Sequence, residues 1–476
     1  MLVAGPPANL PGIAWATGAV AAAMAIWWIT EPIPVYATAL IPLVAFPLLG
    51  VFDIKTAAAP YANPTIFLFM GGFMIAMAMQ RWNLHRRMAL AILATAGTGP
   101  QQLVGGLMAA TVLLSMWISN TSTTMMMLPI AISVLSLIHA NDVDPRDARN
   151  IGPALMLAVG FGATIGGMAT LIGTPPNALL AGFMQTTYGV KVSFAAWMAV
   201  GAPLALVIGI ACWVLLCRVL FPISNVPVAG ARELIAAQRK ALGPMSRGEI
   251  VVAVAFAVAA VLWIVQPFVV AWLPGLKLSD AGIAMTVAFL LFLVPVDFGK
   301  GEFVLDWTWA NKLPWGILLL FGGGLSLADA AQSSGLADAI GQAMSGWSSV
   351  PAWLLIAATV AIIVYLSEIA SNTAAAATML PLLAAAAVSL GQSPLLFCIA
   401  GALGASGGFM LPVATPPNAI VFGSGQVTIQ QMIRGGFWLD VIWIVVVALG
   451  AIFLVPLAFD TVYGVVPDWA IKANAR

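Results

Sequence analysis

Residues 115–129 read Ser-Met-Trp-Ile-Ser-Asn-Thr-Ser-Thr-Thr-Met-Met-Met-Leu-Pro, and residues 367–381 read Ser-Glu-Ile-Ala-Ser-Asn-Thr-Ala-Ala-Ala-Ala-Thr-Met-Leu-Pro. The two stretches stand 252 residues apart and share Ser115/Ser367, the Ser-Asn-Thr triplets at 119–121 and 371–373, and the Met-Leu-Pro triplets at 127–129 and 379–381. The same offset carries Gly71-Gly72 onto Gly323-Gly324 and Gln80 onto Gln332. Downstream, Thr174-Pro175-Pro176-Asn177 recurs as Thr415-Pro416-Pro417-Asn418, now 241 residues away. The 252 − 241 = 11 residues lost fall where the first half has the polar loop Asn141–Asn150. One shared triplet would be chance, whereas ordered motifs with a common spacer mark an internal duplication.

Working outward, the composition fixes the solvent. The chain has 476 residues, 62% of them hydrophobic and only 7% charged. Soluble domains carry roughly a quarter charged residues, so no water-facing surface can be built from this pool. A mean hydropathy of +1.03 and repeated apolar runs of about 18–22 residues describe an all-α polytopic membrane protein. A secreted domain, a cytosolic enzyme and a nucleic-acid binder are excluded, and a net charge of +1 gives no field for a polyanionic partner. The three cysteines (Cys212, Cys217, Cys398) lie inside apolar runs and read as packing residues. Two histidines, His85 and His139, are too few for a histidine-based metal centre. The first apolar run is full length with no basic leader, which does not fit a cleavable signal peptide.

Helical candidates fall near 12–30, 33–51 and 62–81, with a pair near 101–118 and 122–140, then near 151–188, 194–221, 249–273, 279–296 and 314–332. A second pair lies near 352–369 and 374–390, followed by 395–426 and 436–459. Each half then reads as five spanning segments plus one re-entrant helical hairpin around Ser-Asn-Thr. A hairpin that enters and leaves on one side adds no net crossing, so an odd number of crossings makes the halves inverted repeats, as in secondary transporters. The expected division is 1–100 (first scaffold segments), 101–222 (first hairpin and transport-domain helices), 223–350 (linker helix and second scaffold segments) and 351–476 (second hairpin and transport-domain helices). Alternating the loops places 13 basic residues on one side and five (Lys55, Lys191, Lys277, Lys472, Arg476) on the other, accounting for all 18. The richer side is expected to be cytoplasmic, with both termini outside and the first hairpin opening from the cytoplasm. The hydrophilic stretch 229–248 is expected to form a short interfacial helix between the halves.

Polar side chains and free backbone groups at membrane depth are costly unless they line a cavity or coordinate something. Ser115 and Ser367 stand four residues before Ser119 and Ser371, on the same helical face. Thr-Pro-Pro-Asn removes two successive backbone donors and breaks α geometry, leaving bare carbonyls near Gly173 and Ala414. Hydroxyls, amide oxygens and bare carbonyls are hard ligands suited to an alkali cation, and half-helix N-termini suit an anion.

With Trp27-Trp28-Ile29-Thr30-Glu31 ahead of Pro32 and Pro34, and the two doubled motifs, essentially the whole chain resembles the divalent anion–sodium symporters. The resemblance implies a plasma-membrane carrier (the inner membrane of a Gram-negative cell) that imports C4-dicarboxylates such as succinate, malate and fumarate with sodium. It implies a homodimer in the lipid bilayer whose transport domains move as elevators past fixed scaffolds. Carried over by motif, one sodium ion would meet Ser115, Ser119, Asn120 and the carbonyl of Gly173. A second would meet Ser367, Asn372 and the carbonyls of Ala370 and Ala414. The dicarboxylate would meet Asn120, Thr121, Asn372, Thr373 and Pro416. No Lys or Arg lies in these motifs, so the sodium ions would neutralise the dianion. Members of the family carry a further membrane segment ahead of the tryptophan motif, and ten spans instead of eleven, or a late start to the chain, would each account for its absence here.

Glu368 stands beside the sodium-site serine where the first half has Met116; it reads equally as a cation or proton site and as a structural acceptor. Asp329 reads as scaffold or domain interface. Gly404-Ala405-Ser406-Gly407-Gly408 fits GxSxG, yet Ser406 aligns with Ile165 and small residues for close packing explain it better. An intramembrane hydrolase lacks a plausible base, and a channel does not need two opposed hairpins. A sodium-independent dicarboxylate exchanger and a sulfate or citrate carrier of the same fold remain alternatives.

Overall fold

The structure, a computed structural model, describes residues 5–7, 10–141, 144–224, 226–273, 275–344, 346 and 349–474. Arg476, one of the five basic residues assigned to the minority side, lies outside the described residues. Among the described residues nine helices are long and apolar enough to cross a membrane. The principal helices of the first half are α1 (Gly12–Thr30), α2 (Pro64–Arg81), α3 (Leu84–Leu93), α4 (Pro100–Ser115), α5 (Asn120–His139), α6 (Pro145–Gly167), α7 (Pro175–Tyr188) and α8 (Phe194–Val214). The amphipathic helix α9 (Ala231–Ala241) follows within the hydrophilic stretch, and then α10 (Arg247–Trp272) and α11 (Asp280–Leu293). The second half continues with α12 (Trp315–Ser333), α13 (Leu336–Met344), α14 (Ala352–Ile369), α15 (Asn372–Ser389), α16 (Pro394–Ala405), α17 (Pro416–Gly423) and α18 (Ile429–Phe459).

Several expected segments are cut differently. The apolar run 33–51 forms two short helices, Val35–Thr38 and Ile41–Leu48, because Pro34, Pro42 and Pro47 deny the backbone a continuous donor ladder. The runs 151–188 and 395–426 each split into two helices at the Thr-Pro-Pro-Asn motif. An antiparallel ribbon, Pro295–Asp297 with Glu302–Phe303, interrupts the otherwise helical chain. Asp297 Oδ1 accepts from the N–H groups of Gly299 and Lys300 and makes its turn. Arg81 at the end of α2 reaches Glu302 at 3.4 Å and Asp306 at 2.7 Å, anchoring α2 to that corner.

The structure adds one pair of elements that hydropathy passes over. Helices α3 and α13 are short and amphipathic, and they begin 336 − 84 = 252 residues apart. Each follows a corner residue in the left-handed region, Asn83 at φ 54° and Gly335 at φ 80°. Asparagine and glycine are the residues that tolerate that conformation. Helices α2, α4 and α5 recur as α12, α14 and α15 at the same offset, and α8 falls within α18 at 241.

Helices α6 and α16 form the centre. Residues 151–167 of α6 and all of α16 are buried, which their Gly/Ala-rich sequences permit by letting neighbouring backbones approach closely. The periphery is apolar outward: Val258, Phe268 and Trp272 on α10 are 46%, 68% and 86% exposed, as a lipid-facing surface requires.

Candidate functional site

Helices α4 and α5 meet at the first Ser-Asn-Thr motif. Ser119 is the N-cap of α5, its Oγ accepting from the N–H of Ser122 at 3.3 Å. Asn120 is therefore the first helical residue, and its Oδ1 accepts the Ser115 hydroxyl at 2.8 Å. In the second half Ala370 is extended, Ser371 is the N-cap and Asn372 opens α15. The Ser367 hydroxyl turns back to Val364 O at 2.8 Å and lies 3.4 Å from Gly407 O, while Asn372 Oδ1 is buried with no hydrogen-bond partner.

The broken helices bring the remaining groups to these tips. Helix α6 stops at Gly167 and α7 starts at Pro175; α16 stops at Ala405 and α17 starts at Pro416. A Cβ on Gly167 would stand 2.5 Å from Asn120 Oδ1, so the first tip rests directly on the end of α6. A Cβ on Gly173 would strike Gly167 O, so the loop folds back onto the helix end it left. In the second half a Cβ on Gly408 would touch Ala414 Cβ at 3.3 Å and Ser367 Oγ at 3.4 Å. Ser115, Asn120, Gly167 and Gly173 thus gather on one side, and Ser367, Gly408 and Ala414 on the other.

Burial divides the motif residues into two classes. Ser115 and Ser367 are fully buried, and Gly173, Ala370 and Ala414 are buried with them. Ser119, Asn120, Thr121, Asn372 and Thr373 are partly exposed, and Pro416 is exposed. The buried class offers hydroxyl and carbonyl oxygens, which fit a hard monovalent cation; among the described residues no group of three His, Cys, Asp or Glu side chains is poised for a transition metal. The open class offers amides, hydroxyls and two helix N-termini, which fit carboxylates.

Each half also ties its hairpin tip to its broken helix, by different chemistry. In the first, the Thr170 hydroxyl donates to Met116 O at 2.5 Å. In the second, Glu368, the counterpart of Met116, accepts from the N–H groups of Phe409 (2.5 Å), Met410 (2.8 Å) and Leu411 (3.0 Å). The break there is longer, 406–415 against 168–174, and the extra unwound turn frees the donors that the carboxylate satisfies. Glu368 therefore acts as a backbone acceptor within the loop.

Sequence reasoning missed three side chains here. Asp440 on α18 is fully buried beside the Glu368 carboxylate. Asn177 and Asn418 were visible only as the last letter of a motif, and both bridge loop carbonyls through their amide nitrogens. Ser406, the first residue past α16, is buried and donates back to Ala402 O at 3.3 Å, as a residue closing a helix end. Asp329 lies in α12, outside both clusters.

Two adjoining cavities of about 280 and 270 Å³ share Met126 beside the first tip. Gln80, His85, Ser122 and Thr123 line the first, and Arg86, Ser133 and Gln238 line the second. Among the described residues no carboxylate lines either cavity.

Comparisons with known proteins place the chain among membrane transporters. The chain is 41% identical over 438 residues to the sodium-dependent dicarboxylate transporter SdcS of Staphylococcus saprophyticus, covering 91% of this chain and 84% of that one. It is 39% identical over 439 residues to SdcS of Staphylococcus aureus strain USA300, with the same coverage. Among solved structures, the Alcanivorax borkumensis YdaH transporter superposes with a TM-score of 0.55 at 16% identity, over 90% of this chain and 87% of that one. MtrF of Neisseria gonorrhoeae superposes with a TM-score of 0.56 at 13% identity, over 93% and 95%. These two share the helical transporter fold. Residues 1–459 match the sodium:sulfate symporter transmembrane region, and the chain belongs to that family of membrane transporters.

Proposed function

We propose that the protein is a sodium-coupled importer of a C4-dicarboxylate such as succinate, malate or fumarate. The observation that carries this reading is the division of the motif residues by burial. Hydroxyl and carbonyl oxygens lie buried at Ser115/Gly173 and Ser367/Ala370/Ala414, while Asn120, Thr121, Asn372, Thr373 and Pro416 of the same motifs stay more open, with no basic side chain in either set. Two sodium ions, one per cluster, neutralise the dianion. Leaving such a charge uncompensated at membrane depth would cost at least ~3 kcal/mol. Asn120 and Asn372 serve both ligands, each turning part of its amide toward a cation and part toward the anion. The names of the similar Staphylococcus transporters support both the cation and the anion class.

The wider architecture belongs to the same proposal: two inverted repeats, a homodimer in the plasma membrane with termini outside, and segments 101–222 and 351–476 moving as an elevator past 1–100 and 223–350. The exposed apolar side chains of α10 suit a lipid or subunit surface. The cavities beside Met126, with no carboxylate among their described lining residues, suit an anion leaving the first tip.

Radiolabelled succinate uptake into proteoliposomes tests the reading, with an inward sodium or potassium gradient and with empty or succinate-loaded lumens. Uptake into empty vesicles driven only by sodium is the expected result. Uptake confined to loaded vesicles whatever the cation would replace symport by exchange. Sodium-driven uptake of sulfate with none of succinate would move the substrate to the inorganic anion in the family's description.

A further inference from the structure

We propose that the side-chain oxygens of Asn177 and Asn418 are ligands of the transported cations, one in each half. This rests on reading the Ser115 and Ser367 clusters as sodium sites. Both asparagines are fully buried. The Asn177 amide nitrogen donates to Thr170 O at 2.8 Å, Gly167 O at 3.3 Å and Met168 O at 3.4 Å. The Asn418 nitrogen donates to Leu411 O at 3.1 Å and Gly408 O at 3.2 Å. The acceptors at 167 and 408, and at 170 and 411, stand 241 residues apart, as the asparagines do. With the nitrogen facing only carbonyl oxygens, the orientation of each amide is fixed, since the flipped amide would set oxygen against oxygen.

Both amide oxygens, Asn177 Oδ1 and Asn418 Oδ1, are then left buried with no hydrogen-bond donor. Buried polar atoms are almost always partnered, and one orphan would be unremarkable. The same orphan at both repeat positions is different, because the surrounding residues have diverged: Thr170 against Leu411, and Met116 against Glu368. Pro175-Pro176 and Pro416-Pro417 remove two backbone N–H groups from the first turn of α7 and α17, beside each amide. The loops that the amides grip are those of the cation clusters. Gly167 packs on the Asn120 amide, and Gly408 packs on Ser367 and Ala414. An amide oxygen with no donor, on a side chain whose nitrogen grips the loops of these hydroxyl and carbonyl oxygens, is a hard ligand for a monovalent cation. Thr-Pro-Pro-Asn then has a division of labour: the prolines bare the carbonyls, the amide nitrogen holds them in place, and the amide oxygen joins them.

Sodium titrations of the thermal stability of the purified protein, against choline and lithium, test this without relying on transport. The wild type is expected to show a saturable sodium-dependent rise in Tm. Asn177→Leu and Asn418→Leu, which remove the oxygen, should move the sodium midpoint up by about tenfold or more. Asn177→Asp and Asn418→Asp, which keep oxygen and lose the amide hydrogens, should hold the midpoint within about threefold while changing the lithium-to-sodium ratio. Leucine variants with unchanged midpoints would overturn the inference, as would aspartate variants that shift as far as leucine, because the amide would then act only through its hydrogens. If the leucine variants fail to fold, an unaltered lithium-to-sodium ratio in the aspartate variants overturns it alone. Ser115→Ala and Ser367→Ala separate the two levels. Midpoints moved by these and not by the asparagine variants would remove the inference and keep the sodium sites; midpoints unmoved by any would remove both.

Discussion

Asn120 and Asn372 occupy the first position of their helices, yet the structure gives them different partners. Asn120 Oδ1 receives the Ser115 hydroxyl, whereas Asn372 Oδ1 receives no donor and Ser367 turns its hydroxyl toward backbone oxygens. Their shared sequence context fixes the helix start, and the neighbouring loop decides where each amide points. Asn120→Ala or Asn372→Ala is expected to abolish sodium-driven uptake while leaving the fold intact, because under the proposed reading each takes an oxygen from a cation site and a donor from the anion site. Uptake assays with size-exclusion profiles check this, and activity within a factor of about two of wild type would remove the residue from the site. The motif, the serine one turn earlier and the helix breaks at Thr-Pro-Pro-Asn were all legible in the sequence. The use of the asparagine amides as bridges over the loop was not, since it depends on where loop carbonyls point after the chain leaves α geometry.

At the scale of elements, the two halves stabilise equivalent hairpins by unlike means. Thr170 gives one hydroxyl to Met116 O, and Glu368 receives three backbone donors from a loop 41–43 residues away. Removing Glu368 takes the acceptor from three backbone N–H groups and leaves the buried one, of Phe409, unpaired at about 1–3 kcal/mol, whereas Thr170→Val removes one hydrogen bond worth about 1 kcal/mol. Glu368→Ala should therefore lower the thermal midpoint of the purified protein far more than Thr170→Val, and equal losses would refute the clamp. Periodicity could propose Glu368 as interesting without choosing between cation site and structural acceptor, because the choice depends on a contact distant in sequence. Helices α3 and α13 escaped a hydropathy reading for a related reason. Each is only nine or ten residues long, and α3 carries His85, Arg86 and Arg87, so neither resembles a span. Their common offset and their left-handed corners at Asn83 and Gly335 make them one device used twice.

For the whole molecule, the proposed coupling is a statement about linked equilibria. If sodium and dicarboxylate share Asn120 and Asn372, each must tighten the other's binding by the same factor. Raising external sodium should lower the apparent KM for succinate, and succinate should lower the sodium concentration needed for half-maximal binding. A KM independent of sodium would argue for exchange. Two sodium ions per dianion would move no net charge. Each further ion would add about 2.3 kcal/mol of driving force per 100 mV, so current measured with uptake reads the stoichiometry directly.

The amino-acid sequence alone determined that this is a helical membrane protein, that it is duplicated, and which short motifs interrupt its apolar runs. These are properties of composition and spacing, and a low-dielectric solvent leaves few alternatives for polar residues placed twice at the same offset. The tertiary structure decided which motif atoms are buried together and which stay open, how the Glu368 carboxylate is used, and that Asn177 and Asn418 each retain an unpaired oxygen. Those outcomes depend on how a broken helix closes against a hairpin tip. Residues far apart in the chain meet there, and the direction of a single carbonyl or amide settles what the meeting can bind.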